Sequence, residues 1–106
     1  MKEITEESSL MDLIRNEESL LLFLYTPLCG TCKRAEQMLI PLEEVLRDVQ
    51  MVKVNANIIP EFMQREKVTS VPCLKVFQDG ENIKTIYAFH SLPSLIERIY
   101  PLLQNK

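Results

Sequence analysis

Leu20-Leu21-Leu22-Phe23-Leu24-Tyr25-Thr26-Pro27-Leu28-Cys29-Gly30-Thr31-Cys32 is the stretch on which the fold turns. Six apolar residues in a row, 20–25, have the length of a strand buried on both faces, because neither face of such a strand has to meet water. Pro27 and Gly30 then break the run into a loop. From Cys32 to about residue 48 the apolar residues fall at helical spacing: Ala35, Met38, Leu39, Leu42, Val45 and Leu46 make one stripe. Pro41 interrupts that stripe and predicts a kink. Two cysteines thus sit where a buried strand hands over to a helix.

Working outward, residues 8–16 read as a short helix. Ser8 or Ser9 is the candidate cap, and Leu10, Leu13 and Ile14 form the apolar face. Residues 51–55 alternate like a strand, and residues 60–66 form a short helix with Pro60 tolerated in its first turn. Residues 74–77 and 82–87 read as two strands joined by Gln78-Asp79-Gly80-Glu81, a hairpin signal. Ser91 or Ser94 opens a last helix carrying Leu95, Ile96, Ile99 and Leu103. Residues 2–5 supply a candidate edge strand. The order α, β, α, β, α, β, β, α gives parallel pairs first and an antiparallel hairpin last. The expectation is an α/β fold with a central mixed sheet of four to five strands flanked by helices. Gly occurs only at 30 and 80, so each is expected to have a backbone role.

With 106 residues and no repeat, low-complexity tract or linker, the chain is expected to form a single domain over 1–106. Hydrophobic residues make up 46%, enough for a packed core rather than disorder. The formal net charge of -3 argues against nucleic acid, whose phosphates call for clustered Lys and Arg. The N-terminus, Met-Lys-Glu-Ile-Thr-Glu-Glu, has no apolar segment of signal-peptide length, and residues 20–25 are too short to cross a bilayer. A soluble cytoplasmic protein, with no membrane partner, is expected. Thiols stay reduced in that compartment, so a cysteine pair points to catalysis or metal binding rather than to a structural staple.

Cys29-Gly30-Thr31-Cys32 carries the chemistry. Free amide N–H groups and the helix dipole favour a thiolate in a first helical turn. Cys29, at the exposed end, is the expected nucleophile. Cys32, one turn in, is the expected resolving thiol, and the spacing lets the sulfurs reach bonding distance. Exchange would run through a mixed disulfide on Cys29 that Cys32 breaks. Two other readings stay open at this point. The pair could hold zinc or bridge an iron–sulfur cluster, since three Cys and one His match a zinc set in number. The chain could also be a redox-inactive adaptor, although retention of both cysteines counts against that.

A second element lies at Thr69-Ser70-Val71-Pro72-Cys73, just before a strand. Together with the Cys29/Cys32 motif, the Cys32-to-Pro72 spacing, Lys53-Val54-Asn55 and the Gly80 turn, it makes nearly the whole chain resemble the thioredoxin family. The resemblance implies a thioredoxin fold, a redox-active Cys29–Cys32 disulfide with no other cofactor or metal, and protein-disulfide reductase activity on protein or mixed disulfides. It implies a cis bond before Pro72, Pro72 packed against the cysteine pair, and a Val71 backbone that pairs with extended substrate. Gly30, Thr31, Tyr25 and Lys53 become supporting residues. The electron donor is left between a thioredoxin reductase and a low-molecular-weight thiol, and a monomer is expected.

The departures are specific. Phe23 stands where the family carries a buried Asp thought to manage the resolving thiol's proton, so Lys53 is expected to lack its usual partner. Tyr25 and Leu28 occupy two Trp positions, Thr31 the motif Pro, Ala88 a Gly that clears a partner surface, and Gln37 the helix-kinking Pro. These changes bear on recycling by a thioredoxin reductase and on substrate range. Of the remaining residues, Cys73 is expected to be a buried strand residue, with a third thiol near the site as the alternative. His90 is expected far from the motif, Glu36 on a solvated helix face, with a proton acceptor in place of the missing carboxylate as the alternative, and Met38, Met51 and Met63 in the core.

Overall fold

The computed structural model describes residues 1–104. In order they form β1 (Lys2–Glu3), α1 (Glu7–Asn16), β2 (Ser19–Tyr25), α2 (Gly30–Val45), β3 (Gln50–Asn55), a 3₁₀ turn (Ala56–Ile58), α3 (Pro60–Arg65), β4 (Cys73–Gln78), β5 (Glu81–Ile86) and α4 (Leu92–Gln104). Among the described residues the five strands make one sheet in the order β1-β3-β2-β4-β5. β1 and β2 both run parallel to β3, while β4 is antiparallel to β2 and to β5. The mixed sheet and its closing hairpin follow the sequence reading.

β2 is central, which explains its unbroken apolar run. Leu21 and Phe23 face one layer, with Ala35, Leu39 and Leu42 of α2 and Leu95 and Ile99 of α4. Leu20, Leu22 and Leu24 face the other, with Leu10 and Ile14 of α1 and Phe62 of α3. Each successive side chain therefore enters a different core. All five residues from Leu20 to Leu24 are fully buried.

Several local expectations change. α1 begins at Glu7 with Glu6 as its N-cap, and no side chain caps it, so neither Ser8 nor Ser9 plays that part. α2 begins earlier than the apolar stripe implies, because Cys29 takes the N-cap position, and it runs through Pro41, which offers no N–H to the ladder. Ser91 does cap the last helix, its hydroxyl accepting from the Ser94 N–H at 3.2 Å. Gly80, at φ +85, follows Asp79 at φ 52 in the β4–β5 turn, where a left-handed backbone is needed. Gly30 has no such need: a Cβ there would meet nothing within 4 Å. Neither backbone conformation nor packing within the chain requires a glycine at that position. The β4–β5 pairing shifts register between Val76 and Phe77, and the outward side of β5 is exposed. Met51 is buried as expected, whereas Met38 and Met63 pack only at the margins of the two cores.

Candidate functional site

The loop after β2 brings Cys29 to the N-cap of α2, where its Sγ accepts from the Cys32 N–H at 3.1 Å. Cys29 and Cys32 are joined as a disulfide, with Cα atoms 5.2 Å apart. The Thr31 hydroxyl lies 3.3 Å from Cys29 Sγ and acts as donor, since a disulfide sulfur carries no proton. Cys29 is half-buried, while Cys32 is 2% exposed and lies in the α2–α4 core layer. One sulfur is thus reachable from outside and the other is not. The open space over Gly30 leaves the approach to the loop unobstructed.

The Val71–Pro72 peptide bond is cis. Pro72 shares with Thr31 the wall of a groove of about 450 Å³, which continues past Met38 and Phe89. His90 lines the same groove. That corrects the expectation that it lies far from the motif: the loop between β5 and α4 folds back across the end of the sheet where the disulfide sits.

Lys53 is not left without a partner. β3 pairs Lys53 directly with Phe23, and its Nζ reaches Glu36 of α2 at 2.7 Å. The two side chains are 23% and 30% exposed, so Glu36 does not lie on a solvated face either. Glu36 follows Cys32 by one helical turn, and residues four apart on a helix are surface neighbours. The family's carboxylate is missing from β2, but an ion pair with Lys53 persists through a carboxylate on the helix. This was legible only as an i, i+4 spacing from Cys32.

An aromatic stack fills the position of the missing Asp. Phe23 stacks on Tyr25 with centroids 6.0 Å apart and meets Phe89 edge-on at 6.1 Å. Lys53 Nζ lies 5.8 Å from the Tyr25 ring centroid. The Tyr25 hydroxyl donates to the Glu3 carboxylate. Burial, then that hydrogen bond, then the negative charges of Glu3 and Glu36 push the phenol up to about 12. Tyr25 therefore stays neutral at physiological pH and acts as packing.

Cys73 is fully buried, and it belongs to the core layer under α1 and α3. Cys32 belongs to the opposite layer, so the sheet itself separates the two thiols. Burial pushes the Cys73 thiol up to about 11, against smaller opposing effects of the Lys75 cation and a hydrogen bond with Tyr87. The strand-residue reading of Cys73 holds. Lys75, which the sequence did not mark, is 1% exposed and donates to Thr85 Oγ1 at 3.0 Å. Among the described residues, no group of three or more His, Cys, Asp or Glu is placed to hold a metal ion.

A buried central strand delivering a disulfide to a helix start, opposite a cis-proline loop, defines a thioredoxin-type site. The family model for thioredoxin matches residues 1–100, and the chain belongs to that family. As a member with a bonded Cys29–Cys32 pair, it is a thiol–disulfide oxidoreductase. It is 41% identical over 99 residues to the thioredoxin-like protein YusE of Bacillus subtilis, covering 93% of this chain and 91% of that one. It is 29% identical over 86 residues to a thioredoxin of Streptomyces clavuligerus, covering 81% and 80%. The solved thioredoxin of Plasmodium falciparum superposes with a TM-score of 0.84 at 24% identity, over 93% of this chain and 99% of that one, and carries the fold.

Proposed function

We propose that Cys29 is the attacking thiol and Cys32 the resolving thiol in the reduction of protein disulfides, in a reducing compartment such as the cytosol. The observation that carries the assignment is the asymmetry of the pair: Cys29 is half-buried at the N-cap of α2, and Cys32 is 2% exposed. In the reduced protein the Cys29 thiolate attacks one sulfur of a substrate disulfide. That S–S bond breaks, the other substrate sulfur leaves as a thiolate and takes a proton from solvent, and a mixed disulfide forms on Cys29. Cys32 then gives up its proton and attacks Cys29 Sγ. The Cys29–substrate bond breaks, and the second substrate sulfur leaves and is protonated. Two electrons have passed to the substrate, and the Cys29–Cys32 disulfide is restored. A thiol or dithiol reductant resets it.

Each supporting residue has a physical reason for its role. The Cys32 N–H and the Thr31 hydroxyl point at Cys29 Sγ and favour negative charge there. The cis-linked Val71–Pro72 segment, with Pro72 lining the same groove as Thr31, offers an extended substrate chain a backbone to pair with. Lys53, held by Glu36, and Tyr25 keep the β2 side of the site packed. Gly30 leaves room for the substrate's approach.

Insulin reduction with dithiothreitol tests the proposal. The wild-type protein is expected to accelerate insulin precipitation, and Cys29→Ser to fall to the dithiothreitol background. A wild-type rate equal to that background overturns the reading. Stoichiometric zinc or iron in such a protein after anaerobic purification would favour a metal-binding role.

A further inference from the structure

The groove beside the disulfide has a charge character that the chain as a whole does not share. The sequence holds 15 acidic and 12 basic residues, yet among the described residues lining the groove none is acidic. Its lining is largely apolar, with Met38, Phe89 and Pro72, and its polar groups come from Thr31, Tyr87, Arg34 and His90, of which Arg34 alone carries a fixed charge. Arg34 is exposed and makes no hydrogen bond or ion pair among the described residues, unlike Lys53, whose charge Glu36 already meets. An unpaired guanidinium lining a largely apolar groove is suited to a carboxylate, which it can receive through two parallel N–H···O bonds.

We propose that this groove selects substrate disulfides flanked by an acidic side chain, with Arg34 receiving the carboxylate. The proposal rests on the oxidoreductase reading and names the substrate class of that site. The reach is consistent. Arg34 follows Cys29 by five positions, a rise of about 7.5 Å along the axis and a turn of about 140° around it, so the two Cβ atoms lie on the order of 10 Å apart and the long Arg34 side chain spans part of that gap. An extended chain advances about 3.3 Å per residue, so a residue about two positions from the attacked cysteine comes within reach of the guanidinium. The apolar lining receives the side chain between them. Since the groove is open to solvent, the charge pair contributes discrimination more than raw affinity.

Three disulfide peptides that differ only in Glu, Gln or Lys two positions from a cysteine, on either side of it, provide the test. Reduced protein is mixed with each, and the second-order rate of its oxidation is read by alkylation shift. Glu is expected to exceed Gln by about threefold to fivefold at low ionic strength, as for an exposed ion pair. The ratio is expected to approach one at about 0.5 M salt. In Arg34→Glu the order of the peptides should invert, with Lys ahead of Glu. Circular dichroism checks that the variant is folded. Equal rates for Glu and Gln in the wild type, or an unchanged order in Arg34→Glu, overturn the acidic preference while leaving the oxidoreductase standing. Failure of all three peptides to oxidise the wild-type protein overturns the oxidoreductase reading itself.

Discussion

Alkylation of the three cysteines in the reduced protein puts the site assignment at risk most directly. Iodoacetamide reacts with thiolates, so the rate at each sulfur follows its ionised fraction and its access. The Cys73 thiol is pushed up to about 11, and its residue is 0% exposed. A thiol of that pKa is ionised to about one part in 10⁴ at about pH 7, whereas a thiol at the ordinary 9.0 is ionised to about 1%. Ionisation alone therefore separates Cys73 from an ordinary exposed thiol by a factor of about 100. The environment of Cys29 widens the gap, because the Cys32 N–H at 3.1 Å and the Thr31 hydroxyl at 3.3 Å both face its sulfur. Burial adds to it, since reagent reaches Cys73 only when the core beneath α1 and α3 opens. A brief pulse of iodoacetamide near neutral pH, followed by peptide mass spectrometry, should find label at Cys29, little at Cys32 and essentially none at Cys73. In denaturant all three should label alike, which ties the protection to the fold. Labelling of Cys73 at more than a tenth of the Cys29 rate in the folded protein would refute the reasoning.

The raised Cys73 value also fixes a pH dependence: the unfolded state loses that proton near 9.0 and the folded state near 11, so stability is intact below about pH 9 and declines above it, by about 2–3 kcal/mol once pH passes 11. Urea unfolding at a pH series should show the decline between about pH 9 and 10, below the titration of Tyr25, in the wild type and not in Cys73→Ala; the same slope in both would reject it. The Glu36–Lys53 pair, with side chains 30% and 23% exposed, should show a coupling of about 0.5–1 kcal/mol in a Glu36→Gln, Lys53→Met double-mutant cycle, and a coupling indistinguishable from zero would show solvent screening to be complete. Phe23→Ala removes a fully buried ring that stacks on Tyr25 and meets Phe89 edge-on and should cost about 3–5 kcal/mol by urea denaturation, whereas a loss under about 1 kcal/mol would mean the layer collapses to fill the space. Thr31→Val deletes a donor that a thiolate uses better than a disulfide sulfur does, so equilibration against glutathione should give a potential more negative by about 10–30 mV, and a positive shift would contradict that role.

The sequence exposed what is local or periodic. Residues 20–25 announced a strand buried on both sides, and β2 lies at the centre of the sheet with alternate side chains in two cores. The cysteine spacing announced a helix start, and Cys29 caps α2. Contacts that join distant positions were not legible. Nothing in a single chain says that Lys53 will cross to Glu36, 17 residues away, because the family pattern assigns its partner to position 23. His90 entered the site for a similar reason: a loop of five residues between β5 and α4 decides where it lands, and periodicity does not reach into loops. Lys75 reads as the polar member of an alternating strand, yet it is covered, since its ammonium finds Thr85 on the neighbouring strand. The Ser8/Ser9 cap failed because propensity favours a serine at a helix start but the chain enters α1 two residues before Ser8, with Glu6 at the N-cap.

The two margins of the sheet have a consequence for life at high concentration. β1 is only two residues long, too short to template a foreign strand. β5 is the longer margin, but it carries Glu81 and Lys84 and is bent out of even register where Val76 gives way to Phe77. Charge and irregularity are both obstacles to edge-on accretion, in which an unpaired ladder recruits another chain and grows into a fibril. The segment with the strongest tendency to accrete, Leu20–Leu24, is the one walled in on both sides by β3 and β4. Fibril formation by this protein should therefore wait on unfolding, and lag times under agitation should track global stability rather than protein concentration alone.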